Sequence, residues 1–184
     1  MAKNEFVPTG PPPLPMGSTE LQLGKSKITV TKGKASSSLK LVRVFKAPVE
    51  RVYQCFVEPD AMVKWLPPHG FTGHMHRCEA KVGSGYRMSF TTLDKAWSHT
   101  FTGTYQELTP GKRIRYVNAF ESDDPVMAGA KMQVTIEFRG VPGGTEVTVV
   151  QEGIPAGPAA EGSPYGWSQS FDNLAALCEQ DLPF

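Results

Sequence analysis

Between residues 85 and 153 polar and apolar side chains alternate with a period of two through one short run after another, and that pattern restricts the chain to a sheet with one dry face. Tyr86, Met88 and Phe90 alternate with Arg87, Ser89 and Thr91, and Phe101, Gly103 and Tyr105 alternate with threonines. Ile114, Tyr116, Asn118 and Phe120 oppose Arg113, Arg115, Val117 and Ala119, while Met132, Val134, Ile136 and Phe138 oppose Gln133, Thr135, Glu137 and Arg139. Successive side chains of a strand point to opposite faces, so each run has a wet side and a dry side. The joints Thr109-Pro110-Gly111 and Pro142-Gly143-Gly144 are tight-turn sequences, which join antiparallel neighbours. A parallel sheet needs helical crossovers, and the pattern offers none between these runs.

Helical periodicity is confined to the two ends of this region. After the β-rich run LKLVRVFKA, Pro48 is expected at a first helical position, followed by Val49, Val52, Tyr53 and Phe56 on one stripe. Glu58-Pro59 stops that helix, and a second one is expected from Pro59 to Leu66, closed by Pro67-Pro68. At the C-terminus a long helix is expected from Ser163 as cap and Pro164 as first residue to about Gln180. Trp167, Phe171, Leu174 and Cys178 share one stripe of it with Leu177 beside them, so that side must be buried. The predicted class is α+β, a curved antiparallel sheet around this helix, with two short helices after the first strand. One helix does not fill a strongly bent sheet, and the remaining space is the place to expect a ligand.

Residues 1–38 read differently, with PTGPPPLP favouring extended polyproline and TKGKASSS a polar stretch. They are taken as a solvated extension with one short strand around Ile28 to Val30, and residues 39–184 as the domain. A length of 184 residues suits one core, and a net charge of +1 provides no global field for nucleic acid. No apolar run reaches the roughly 18 residues of a membrane span, and MAKNEFVPTG lacks a signal-peptide core. With three cysteines in no C-x-x-C spacing, the expected setting is reducing and cytoplasmic.

Local constellations for chemistry are few. His74, His76 and Cys78 would share a face of an unbroken strand, but a flat strand spaces alternate residues about 6.5–7 Å apart, too far for the outer two to share one ion, so no metal is assigned. There is no G-x-S-x-G elbow, and Gly83-Ser84-Gly85 reads as a hairpin rather than a phosphate loop. Glu121, Asp123, Asp124 and Glu152 are candidate acids that read as solvated loop carboxylates. The loops EGIPAGPAAEGSP and FESDDPVMAGA are expected to gate any pocket.

The stretches VFKAPVERVYQCFVEPDAMVKWLPPHGF, EAKVGSGYRMSF, TGTYQELTPGKRIRYV and GWSQSFDNLAALCE, in this order and spacing, resemble the activator of heat-shock protein 90 ATPase homologue-like family. That family belongs to the START-like, birch-pollen-allergen-like superfamily of helix-grip folds, and the likeness covers Leu39 to Asp181. It implies a hydrophobic cavity between helix and sheet; superfamily relatives bind lipids, sterols or polyketides, and some are cyclases or dehydratases. Where relatives commonly carry Asp followed by Arg-Pro-Gly-Gly, this chain has Glu79, Lys81, Val82, Gly83 and Ser84. The large N-terminal domain of the eukaryotic activators is not expected from 38 residues.

The expected function is binding of an apolar or aromatic small molecule by Trp65, Met88, Phe90, Tyr116, Asn118, Phe120, Trp167 and Phe171, with Tyr86 in the same aromatic set. Tyr116 and Asn118 supply polar tips on an apolar wall. No cofactor and no catalytic residue are assigned. Two alternatives stay open: a cyclase- or dehydratase-like enzyme using the same cavity, and an interaction protein that stimulates a chaperone ATPase. A chaperone and a second copy of the chain are the protein partners considered.

Overall fold

The computed structural model describes residues 13–180. Nine strands form one antiparallel sheet: β1 (Gly17–Leu23), β2 (Ser26–Lys32), β3 (Ser36–Phe45), β4 (Phe71–Cys78), β5 (Gly85–Thr92), β6 (Ser98–Thr109), β7 (Arg113–Glu121), β8 (Lys131–Val141) and β9 (Gly144–Pro155). Their order across the sheet is β1-β2-β3-β9-β8-β7-β6-β5-β4. Between β3 and β4 the chain makes α1 (Val49–Val57) and α2 (Pro59–Trp65), between β7 and β8 the short α3 (Pro125–Ala128), and after β9 the long α4 (Pro158–Cys178). This is the α+β helix-grip architecture that the alternation and the C-terminal stripe imply.

The N-terminal segment departs from expectation. Instead of one short strand in a solvated extension, β1 and β2, of seven residues each, form a hairpin that continues the main sheet through β3. Gly24 turns the hairpin at φ +58°, where an L side chain is strained. Ile28 is fully buried and Val30 nearly so, both within the common core, while Lys25 and Lys27 face water.

The helices place the core. Pro48 lies just outside α1 as its cap residue, not at its first helical position. Phe56, from α1, meets Trp65 of α2, Phe171 of α4 and Phe138 of β8 edge-to-face, and Phe171 meets Phe45 of β3 in the same way; Phe56 lies 4.7 Å from Trp65 and 5.2 Å from Phe138, and Phe171 lies 5.3 Å from Phe45. Each such ring contributes about 1.5–3 kcal/mol by leaving water. The carbonyls at the end of α2 have no partners within their own helix, and α4 supplies them: Ser170 donates to Leu66 O at 2.6 Å and Asn173 to Pro67 O at 2.9 Å. Arg43, buried on β3, donates to Asp172 at 2.6 Å.

The start of α4 is a second correction. It begins at Pro158 rather than Ser163, after Gly157 at φ +106°, so Pro164 lies inside the helix and is buried there. A proline has no N–H to give the carbonyl four residues back, yet packing of Ala160 and Pro164 holds the turn helical. The gate loop expected over residues 152–164 is therefore mostly the end of β9 and the first turns of α4. In the other expected gate, Asp124 caps α3 by accepting from Val126 N–H at 2.9 Å.

Candidate ligand site on the inner face

α4 lies along β2, β3 and β9 and against α2, leaving the inner face of β4 to β7 to α2 and to solvent. On that face Tyr86, Tyr105 and Tyr116 come together, with ring centroids 5.9, 6.1 and 6.2 Å apart. Gly103 makes this possible. It stands between Tyr86 on β5 and Asn118 on β7, and the Tyr86 ring lies across it so closely that a Cβ would come within 2.3 Å of the ring. The Tyr86 hydroxyl thereby reaches toward Tyr116 and Asn118.

Burial governs the electrostatics of this cluster. It pushes the Tyr116 phenol up to about 12 and raises Tyr86 and Tyr105 well above the ordinary tyrosine range, with neighbouring phenols adding to the last two. All three are neutral hydrogen-bonding groups at physiological pH. The Tyr105 hydroxyl and Asn118 Oδ1 are buried without a hydrogen-bond partner. A void of about 10 Å³ lies between Phe56, Met62 and Trp65 of the helix layer and the three tyrosines. It has room for about one water molecule.

The eight residues expected to line a cavity do not form one lining. Trp65 and Tyr116 border the void, and Asn118 sits beside Tyr86. Met88 and Phe171 are fully buried core side chains. Trp167 is half-buried at the edge of α4; it packs edge-on against Phe171 and donates its indole N–H to Gln151 Oε1 at 2.8 Å. Phe90 and Phe120 lie farther out, around His99. That imidazole is encircled by Trp97 at 4.6 Å, Phe90 at 5.4 Å, Phe120 at 5.8 Å, Phe101 at 5.9 Å and Phe71 at 6.2 Å. Burial lowers its pKa, and its Nδ1 has no partner. This half-open aromatic wall, rimmed by Trp97 at 53% exposure, adjoins the tyrosines through Phe101, 6.2 Å from Tyr86. Sequence reasoning missed His99 as a member, although it lies two residues before Phe101 in the same alternation.

The remaining candidates lie elsewhere. A bulge between Met75 and Arg77 breaks the row on β4, so Cys78 pairs with Tyr86 and packs on the core. His74 and His76 are exposed neighbours with rings 4.6 Å apart, and His76 Nε2 lies 2.6 Å from Ser89 Oγ. Among the described residues no three His, Cys, Asp or Glu side chains are grouped to hold a metal. Glu121 receives a two-pronged hydrogen bond from Arg87, Asp123 and Glu152 are exposed, and Glu79 accepts from Ser84 within its own turn. An outer-face depression of about 310 Å³ is lined by opposed charges, among them Arg113 between Glu107 and Glu137. Such a surface offers nothing to an apolar molecule.

Residues 46–179 match the family described as Activator of Hsp90 ATPase homolog 1-like protein. The chain belongs to this family. Among solved structures, this member of the Hsp90 ATPase activator homologue family is similar to a Chromobacterium violaceum protein at 42% identity, with a TM-score of 0.73 over 78% of this chain and 98% of that one. A Rhizobium leguminosarum protein matches at 23% identity and TM-score 0.65, over 78% of this chain and 95% of that one. A Staphylococcus epidermidis protein matches at 20% and 0.67, over 84% and 96%. The last two likenesses are of fold alone. No curated protein matches the chain. Among the described residues no helix is long and apolar enough to cross a membrane.

Proposed function

We propose that the protein holds an uncharged aromatic or apolar small molecule against the inner face of β5 to β7, between the sheet and the helix layer, and that a hydroxyl or carbonyl of this molecule pairs with the buried polar tips there. The observation that carries this reading is the pair of unpartnered buried atoms on this face, Tyr105 Oη on a residue that borders the void and Asn118 Oδ1 on the residue beside Tyr86. Leaving a buried polar atom unpaired costs about 1–3 kcal/mol, and two on one small face are accounted for if the occupied state satisfies them. Covering about 300 Å² of apolar ligand surface at ~25 cal/mol per Å² gives roughly 7 kcal/mol, before the cost of ordering the ligand. The phenols at the void are held neutral by burial, so that end of the site offers hydrogen bonds rather than a base. This favours binding over the cyclase or dehydratase alternative.

Native mass spectrometry of the purified protein against a denatured control tests for a co-purifying molecule, with thermal shifts across aromatic, sterol and fatty-acid panels as the second arm. Tyr105→Phe sharpens the test. Removing an unpaired hydroxyl leaves the free protein as stable as before or more so, while affinity for a hydroxyl- or carbonyl-bearing ligand falls about tenfold. Loss of stability and affinity together would count against the reading. No retained molecule and no shift across the panels would transfer weight to the chaperone-interaction alternative.

A further inference from the structure

The void as it stands admits about one water, so a molecule of ten or more heavy atoms enters only if part of the helix layer moves. The two halves of α4 are held very differently. Its C-terminal half is fixed by Ser170 and Asn173 on the carbonyls at the end of α2, by Asp172 on Arg43, and by the buried Phe171, Leu174 and Cys178. Its N-terminal half contains Gly162, Pro164 and Gly166, each unfavourable inside a helix, and Pro164 deprives the Ala160 carbonyl of its partner.

That weak half is held by the packing of Ala160 and Pro164, by Ser163, which donates to Gln151 Oε1 at 3.4 Å, and by Glu161, its one polar link to the N-terminal segment among the described residues. Glu161 accepts the Leu14 N–H at 3.0 Å through Oε2 and is ion-paired with Lys32 through Oε1; Lys32 in turn donates to the Leu14 carbonyl at 2.9 Å. Just beyond the weak half, Ser168 donates to Leu23 O at 3.4 Å. Leu14, Leu23 and Lys32 all belong to the β1–β2 hairpin or the residues leading into it, before residue 46, where the match to the family begins. No residue of α4 borders the void itself, but the junction of the two halves is linked across β9 and β8 to Asn118 on the same inner face. Trp167 bonds Gln151, Gln151 donates to Met132 Sδ at 3.3 Å, and Met132 stands opposite Asn118 on the neighbouring strand.

We infer that the N-terminal hairpin latches the first two turns of α4 through Glu161, and that residues 158–166, released from it, swing about the Pro164–Gly166 junction to admit the ligand beside Trp167 and Asn118. This rests on the small-molecule reading of the inner face. The hairpin sets the rate of exchange, and Glu161 and Lys32 are positioning residues that need not touch the ligand.

The test is hydrogen exchange on the full chain, together with stopped-flow entry of the uncharged fluorophore N-phenyl-1-naphthylamine. Glu161 lies in the first turn of α4, where its charge itself favours the helix, so Lys32→Met, which leaves that charge in place, is the variant that reports the latch alone. The amides of residues 161–163, 165 and 166 should exchange about tenfold faster in Glu161→Ala and in Lys32→Met, with residues 169–178 unchanged, and the fluorophore should enter correspondingly faster. Pro164→Ala should act in the opposite direction on both readouts. Unchanged exchange at residues 161–163, 165 and 166, or an equal change along the whole helix, would overturn the latch. Faster local exchange with an unchanged entry rate would overturn its gating role and leave the binding reading in place. Failure of the fluorophore to bind the wild type or any variant would overturn the binding reading, and the gating role with it.

Discussion

Gly103 shows how little the inner face tolerates. A methyl group there meets the Tyr86 ring, which is itself 2% exposed and hemmed in by Phe101, Tyr105 and Tyr116. Gly103→Ala is therefore expected to cost about 1–3 kcal/mol in urea unfolding and to turn the Tyr86 hydroxyl away from Asn118. His99 makes a different prediction. Burial lowers its folded pKa below the ordinary imidazole value, about 6.5 in the unfolded chain, so the unfolded state binds the proton more readily. Stability should fall as pH drops from about 6.5 toward the folded pKa, and His99→Phe should flatten that part of the profile in pH-resolved denaturation. The alternation of side chains was enough to place Tyr86, Met88, Tyr116 and Asn118 on the inner face. It was not enough for Cys78, because the bulge after Met75 changes the face without leaving a mark in residue type. Nor did it reveal that Phe90 and Phe120 gather around His99, since that depends on ring orientation as well as face.

The elements divide by what stabilises them. α1 and α2 were readable because prolines bound them and their apolar spacing is helical. The hairpin was not, since its strands need only two or three inward apolar residues, and Ile28 and Val30 of β2 alternate with the polar Lys27, Thr29 and Thr31. Its contribution is measurable. Ile28→Ala should cost about 2–4 kcal/mol, against almost nothing in a solvated extension, and chemical denaturation decides between the two. The first turns of α4 were hidden for the opposite reason. Their Gly and Pro content argues for a loop, and the helix exists there because Ala160 and Pro164 are packed and Glu161 is held by the hairpin. Tertiary contact overrode local preference.

For the whole molecule, the order of sequence blocks carried the fold, and the family match over residues 46–179 agrees with it. The size of the interior did not follow from that order, because a helix gripped by a sheet encloses a cavity or a packed core depending on how Phe56, Trp65, Tyr86 and Tyr105 fill the space. Strand order has a further consequence, for assembly. β3 and β4 follow one another in the chain yet occupy the third and last places in the sheet, and Phe45 on β3 lies beside Thr145 on β9. During synthesis β1 to β3 can pair locally, and so can β4 to β8, but no strand pairing joins the two groups until residues 144–155 have been made. Until then each carries an unpaired edge, at β3 and at β8, of the kind that recruits other chains. The last strand is the keystone of the sheet, and a nascent chain stalled before Gly144 is two half-sheets with adhesive borders.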